Sequence, residues 1–370
     1  LHSFADWIIE NLKFMQAIPP AYVYLIIIVV VTGLLLMLFV APVAGILVYV
    51  ERRVAGKMQS RIGPNRVGPQ GILQFVADGI KLLLKEDIIP AAADRKLFKL
   101  APYIVFVGSF MAFAALPFSQ KLIAADLNVG ILYIFAVSSM VVVGIIMSGW
   151  ASNNKWALLG GMRSAAQIIS YEVPQCLSVL AIILLTGTLS MQGMIKAQGW
   201  APQHWFLFHN PFAFIAFFIY FISAVAECNR VPFDIPEAES ELVSGYNTEY
   251  SGFRFGLFFL AEFANVYLIS AVAVTLFLGG WQTPFNIPTA IWGLLPSAVN
   301  IAGLITFLVK AFVLVFVIMW LRWTLPRLRV DQLMTVSWKY LTPIAFFNLV
   351  GTAAWMLAWH ERGIARLITG

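Results

Sequence analysis

The 370-residue chain is 61% apolar and only 11% charged, with a formal net charge of +6; soluble globular domains run roughly 45–50% apolar and about 25% charged. So few charges cannot clothe a water-soluble body of this length. With a mean hydropathy of +0.85, the sequence predicts an all-α integral membrane protein, a single membrane domain over residues 1–370. Its basic residues sit at the ends of apolar runs, so the pI near 9.3 points to membrane topology and away from nucleic acid.

In chain order, Phe4, Trp7, Ile8, Leu12 and Met15 form a helical apolar stripe, so residues 1–20 are expected as a peripheral segment on the outer membrane surface. Pro19-Pro20 precede a run too long for a signal-peptide core, and no cleavable signal is expected. Eight runs follow, at about residues 21–50, 100–118, 128–150, 165–189, 211–228, 254–280, 301–322 and 340–359. Each is near or above the roughly 20 apolar residues that cross a hydrocarbon core about 30 Å thick. The first holds about 30 residues without a charge, about 45 Å of helix, and should tilt or project from the bilayer. Of the 24 Lys and Arg, eighteen lie in or at the edges of the connections after spans one, three, five and seven. Positive loops stay on the cytoplasmic side, which puts both termini outside. The reading is a multi-pass protein with about eight transmembrane helices plus amphipathic interfacial ones, in a bacterial inner (plasma) membrane rather than a mitochondrial one.

The inner loop over residues 51–99 opens with Glu51-Arg52-Arg53 and continues through Arg61-Ile62-Gly63-Pro64-Asn65-Arg66-Val67-Gly68-Pro69, where two Gly-Pro pairs enforce a rigid turn. Gln70, Gln74, Asp78, Lys81 and Lys85 then recur at steps of three and four, opposite Ile72, Phe75, Val76, Ile80, Leu83 and Leu84. That spacing predicts a short amphipathic helix over 70–86. Two readings stand: an interfacial anchor with a salt-bridged face, or the wall of an access channel for a lipid-soluble substrate, with Arg52, Arg61, Asp78 and Lys81 as its polar contacts.

Glu172, in Ser170-Tyr171-Glu172-Val173-Pro174, falls inside the fourth apolar run. Pro174 removes the N–H that would bond the Ser170 carbonyl, leaving that oxygen for water. Glu227 ends span five and opens an acidic inner loop, 229–253, that carries Arg230, Phe233, Asp234, Glu237, Glu239, Glu241 and Glu249. Six of the chain's eighteen acids lie within 227–249, and crowded or buried carboxylates resist ionisation. Glu262 and Lys310 lie inside spans six and seven. Ionisable groups in hydrocarbon face partners or water: one such group fits a structural pairing, for instance with Lys310, whereas three acids and a base suit proton storage or conduction.

Cys176 and Cys228 have no metal-binding spacing, and an iron–sulfur cluster normally takes four thiolates. They read as small helix-packing residues. His2, His204, His209 and His360 all lie outside the apolar runs, which leaves no axial pair for a membrane haem. Dinucleotide and Walker-type phosphate loops are also missing from the sequence. Any electrons must come from a partner.

Four stretches resemble the membrane heel subunit of respiratory complex I, the family that holds NADH dehydrogenase subunit 1 and the H subunit of bacterial NADH-quinone oxidoreductase. They are Glu51 to Asp87, Ser170 to Pro174, Ala226 to Gly252, and Leu325 to Met334. With the spans, the resemblance covers roughly residues 21–360, and the Ala226–Gly252 match is long and compositionally odd, hence highly specific. It implies a quinone chamber between the tilted first span, the amphipathic helix and spans six and seven, with Glu51, Arg52, Arg61, Asp78, Arg230, Phe233 and Asp234 as candidate lining. It further implies a proton link through Glu172, Glu227, Glu237, Glu239, Glu241 and Glu262. No cofactor is expected on this chain. Quinone is the substrate, and iron–sulfur clusters and FMN belong to partners: a hydrophilic quinone-site subunit, a subunit with the terminal cluster, small membrane subunits and antiporter-like subunits, all embedded among membrane lipids.

The expected activity is that of a subunit of a proton-translocating NADH:quinone oxidoreductase, with no complete active site of its own. The membrane subunit of a proton-pumping nickel–iron hydrogenase would share the fold without a long quinone chamber. An autonomous ion or solute transporter is permitted by the buried charges but shows no inverted repeat. An inert assembly anchor leaves those charges unexplained.

Overall fold

The computed structural model describes residues 20–236, 239–283 and 296–359. The expected surface stripe from Phe4 to Met15 and the candidate Glu237 lie outside them. Nine principal helices carry the fold: α1 (Pro20–Met58), α2 (Gln74–Leu84), α3 (Arg95–Met111), α4 (Gly130–Ala151), α5 (Lys155–Thr186), α6 (Pro211–Glu227), α7 (Gly252–Phe277), α8 (Pro296–Thr324) and α9 (Val330–Ala358). The described residues contain no strand. Six helices are long and apolar enough to cross a membrane; the 17-residue α6 and 39-residue α1 complete the eight expected spans. This is an all-α membrane protein.

Local sequence chemistry sets the helix ends. Asp94 caps α3 by accepting from the amides of Lys96 and Leu97, and Asn154 and Asn210 do the same at the starts of α5 and α6. Gly187, at φ 65°, closes α5 in the left-handed conformation that glycine adopts without strain. The first span does not stop at Glu51. Helix α1 runs on to Met58, about 58 Å at the standard rise, so Glu51 and Arg52 stand on a helix rather than in a loop. The fourth span likewise begins ten residues before the expected start, at Lys155. Polar Asn153-Asn154 mark the turn better than the end of the apolar run does.

Helix α7 is the axis of the bundle, with 78% of its apolar window buried against 33% for α8 and 28% for α9. It packs on α1, α2, α3, α6 and α8, while α5 joins α4 to α6 and α9. Because lipid tails are as apolar as leucine, contact between spans depends on close packing rather than water exclusion. Small residues provide it: a methyl group on Gly144 would lie 2.5 Å from a Val105 methyl and 3.1 Å from the Val105 amide nitrogen. The amphipathic helix α2 tucks Phe75 against Gly45 of α1 and Leu82 against Gly256 of α7. Its apolar residues Ile80, Leu83 and Leu84 remain exposed, and its polar Gln74 and Asp78 turn toward α1.

Pro174 bends the expectation for Ser170. The freed Ser170 carbonyl accepts from Ser337 Oγ at 2.6 Å rather than waiting for water. Ser337 belongs to a π-helical turn of α9, Val336–Leu341, and Tyr171 donates to the Leu333 carbonyl nearby at 2.9 Å. A proline defect in one span and a π-turn in another therefore satisfy each other.

The acidic loop is seated on α5 where Gly160 meets Gly245: a Cβ on Gly160 would fall 2.6 Å from the Gly245 Cα. Both sides of that contact are backbone. Gly160→Ala is expected to displace the 245–247 turn and cost about 1–3 kcal/mol, read as a lower midpoint of thermal unfolding of the purified protein.

Candidate functional site

Arg230 is the centre of the site. The chain leaves α6 after Glu227, and Gln167 of α5 pins the turn that follows: its amide donates to the carbonyls of Ala226 and Phe233, both at 2.7 Å, and to Asn229 Oδ1 at 3.1 Å. This hold points Arg230 into the bundle, where its side chain is 4% exposed. There Arg230 Nη1 donates to both Glu51 oxygens, at 3.0 and 3.1 Å. Its Nε lies 2.9 Å from Glu262 Oε1, and the guanidinium covers the Phe263 ring at 4.3 Å. Arg322 of α8 pairs with the same Glu51. Two carboxylates and two guanidiniums from α1, the acidic loop, α7 and α8 thus form a charge-balanced quartet.

A cavity of about 390 Å³ opens beside the quartet. Glu51, Arg230, Glu262 and Arg322 form its charged wall, with Arg52 and Arg61 also lining it, and Phe255, Phe259, Phe263 and Trp323 supply aromatic surface. Its volume falls within the roughly 300–1,000 Å³ typical of small-molecule sites.

The other candidates take distinct places. Asp78 of α2 lies outside the lining but holds Arg52 in an ion pair at 2.5 Å and accepts from Gln74 at 3.2 Å. Arg61 donates to Gln59 at 2.7 Å. Lys81 is exposed and makes no ion pair among the described residues. Phe233 is buried away from the cavity, its ring against Tyr171 at 5.3 Å. Asp234 pairs with Arg327 at 2.8 Å. Burial lifts its carboxyl above the ordinary Asp range, against the opposing pull of Arg327, Arg322 and Arg230.

The intramembrane acids form a second group. Glu172 accepts from Ser139 of α4, and Glu227 receives hydrogen bonds from Gln175 and Ser138 while lying within electrostatic reach of Glu172. Cys228 feels Glu227 on one side and Arg230 and Glu262 on the other. Ionisable and polar groups therefore run from the cavity wall to α4. Glu241 is not part of this run; it is exposed and pairs with Arg163 at 2.7 Å. Glu239 starts a short helical turn, and its side chain is outside the described residues. Glu249 accepts from Asn154 at 2.7 Å. Glu241 and Glu249 thus fasten the loop to the start of α5.

Lys310 does not meet the carboxylates. Its ammonium donates to the carbonyls of Leu278, Gly280 and Gln282 at 2.7, 3.1 and 2.8 Å and faces the Trp205 ring at 4.3 Å. Along α8 it lies about 18 Å from Arg322. It closes the C-terminal end of α7, where the helix exposes unpaired carbonyls.

Sequence reasoning missed Arg322 and Gln167. Arg322 looks like a topological charge at the end of a span, and Gln167 like one of several polar residues in a run. An Arg on the last apolar turn of a helix opposite a known internal acid is the pattern that could have singled out the first.

The fold and site define an intrinsic membrane protein with a charged, aromatic-walled cavity beside the C-terminal part of its long first helix. The model of the family described as NADH dehydrogenase matches residues 29–353, and the chain belongs to that family. It is 54% identical over 350 residues to the H subunit of NADH-quinone oxidoreductase from Anaeromyxobacter dehalogenans, covering 91% of this chain and 84% of that one. It is 53% identical to the protein of the same name from Chlorobaculum tepidum, over 84% of this chain and 87% of the relative. With that of Phocaeicola vulgatus it shares 49%, over 91% and 93%.

One outcome tests the quartet and a second tests the neighbouring Asp234–Arg327 pair. Arg230→Met leaves two buried carboxylates sharing one guanidinium, and should cost about 3–5 kcal/mol; adding Glu262→Gln should restore much of it, since Arg322 still neutralises Glu51. Thermal unfolding of the single and double variants measures the recovery. Asp234→Asn should behave oppositely. A raised carboxyl pKa stabilises the fold only below the unfolded value near about 3.9, and that contribution is lost as pH rises through the folded value. At neutral pH the variant is therefore expected to unfold at an equal or higher temperature than the wild type, with the difference shrinking toward about pH 3.

Proposed function

We propose that this chain is the membrane subunit of a proton-translocating NADH:quinone oxidoreductase, that its cavity admits the quinone headgroup, and that the acids behind it begin the proton-coupling path. The observation that carries the reading is the cavity itself: aromatic walls next to a buried quartet of two acids and two arginines. A quinone matches both surfaces. Its ring packs on Phe255, Phe259 and Phe263, and its carbonyl oxygens accept from arginines such as Arg52 and Arg61. The relatives are named for NADH-quinone oxidoreductase, which points the same way and away from hydrogenase or autonomous transport.

Electrons reach the quinone from the iron–sulfur clusters and FMN of partner subunits. Reduction places negative charge on the headgroup, which draws Arg52, Arg61 and the quartet's guanidiniums toward it. Any weakening of Arg230 against Glu51 or Glu262 makes protonation of the released carboxylate more favourable. Cys228, Glu227, Glu172 and Ser139 then provide a route for that disturbance toward α4 and neighbouring membrane subunits. Asp78 acts indirectly by holding Arg52, and Phe233 by seating the loop that delivers Arg230. The chain is assigned to a bacterial inner membrane with both termini outside, on its charge distribution. Residues 51–99 and 229–253 are then inner-side segments of one membrane domain.

The test uses the purified assembly in proteoliposomes. Ala55→Phe fills the cavity from a wall residue and is expected to lower NADH:quinone reduction by about tenfold, equivalent to roughly 1.4 kcal/mol, while NADH still reduces ferricyanide. Glu227→Gln is expected to leave quinone affinity near its normal value and to reduce proton translocation. Unaltered quinone reduction in the first variant removes the cavity from the mechanism; unaltered translocation in the second removes the acid route.

A further inference from the structure

We propose that the hollow where α3, α4 and α5 meet binds the phosphodiester headgroup of an anionic glycerophospholipid. This site lies apart from the quinone cavity and does not depend on it. The hollow measures about 650 Å³ and is lined by Asp94, Trp150, Asn153, Asn154, Lys155 and small neighbours. It is a built feature: the Asp94 amide donates to the Ala151 carbonyl at 3.0 Å, tying the start of α3 to the end of α4.

Charge points to an anionic amphiphile. Lys155 lines the hollow, and Arg95, Lys96 and Lys99 occupy the first turns of α3 directly after Asp94. All four are exposed, and none makes an ion pair among the described residues. The carboxylate in the lining, Asp94, keeps its charge but is turned to its own helix, and the four cations outnumber it. Asp94 accepts from the Lys96 and Leu97 amides at 3.0 and 3.3 Å, and Glu249 from Asn154 at 2.7 Å. Basic pockets between spans at the membrane surface suit anionic lipid headgroups, each cation there contributing about 1 kcal/mol.

Two further observations favour a lipid over a free phosphate. Trp150 lines the hollow and Trp156 lies under the Lys155 ammonium at 5.1 Å; they are 66% and 43% exposed, the setting in which tryptophan marks the membrane–water boundary. From the hollow, exposed apolar residues run along α3 as Leu100, Tyr103, Val107 and Met111. That stripe extends about 16 Å, close to half of a hydrocarbon core about 30 Å thick, which is the length one leaflet's acyl chain needs.

The experiment reconstitutes the protein, with the subunits that copurify with it, into phosphatidylcholine vesicles containing a phosphatidylglycerol that carries a diazirine on an acyl chain. After photolysis, label is expected on peptides from residues 95–111 and 130–151. Unlabelled phosphatidylglycerol should suppress it and inorganic phosphate should not. Each of Lys96→Gln, Lys99→Gln and Lys155→Gln should lower it by roughly fivefold, while the corresponding Lys→Arg variants retain it, separating loss of the headgroup site from loss of the fold. Equal labelling by a phosphatidylcholine probe, displacement by inorganic phosphate, indifference to the lysine charges, or shielding of these helices by another subunit overturns the proposal.

Discussion

The guanidinium of Arg230 must be neutralised where water cannot do it, and this requirement organises the protein. An isolated charge in such surroundings costs several kcal/mol, which paired charges recover only with good geometry. Glu51 on the long first helix and Glu262 on the central helix supply the carboxylates. Arg322 balances the remaining negative charge. Four segments far apart in the chain are thereby drawn to one point, and the cavity is the space their side chains leave between them.

The loop that delivers Arg230 is held with equal care. Gln167 reaches the backbone on both sides of Arg230, and the Gly160–Gly245 approach, the Arg163–Glu241 pair and the Asn154–Glu249 bond seat the loop's later part on the same helix. Helix α5 therefore acts as a backing plate. Its own irregularity, the carbonyl released by Pro174, is sealed by Ser337 of α9. A backbone group left open at that depth would be costly in lipid; here it becomes a joint between two spans.

These contacts recast the acidic loop. Six acids in a short stretch invite reading as one proton reservoir, yet the structure divides the described ones by neighbour. Glu227 joins Glu172 beside polar groups of α4 and α5, Asp234 goes to Arg327, and Glu241 goes to Arg163 at the surface. Lys310 is taken by backbone carbonyls at the C-terminal end of α7. Sequence proximity grouped the acids; the partners separate them.

The eight spans, the amphipathic helix and the candidate status of Glu262 were legible in the sequence by itself, because a hydrocarbon solvent leaves few ways to arrange apolar length and makes a charge within it conspicuous; Glu51 and Arg230 lie in the expected inner loops and stood out only through the family resemblance. What only the tertiary structure decided was pairing: that Arg322 completes the quartet, that Gln167 sets the loop, that Phe233 turns from the cavity, and that Lys310 caps a helix. Helical periodicity reports which way a side chain points around its own axis. It carries no information about which distant segment will stand opposite, and for a buried charge the opposing group determines both its energy and its chemistry.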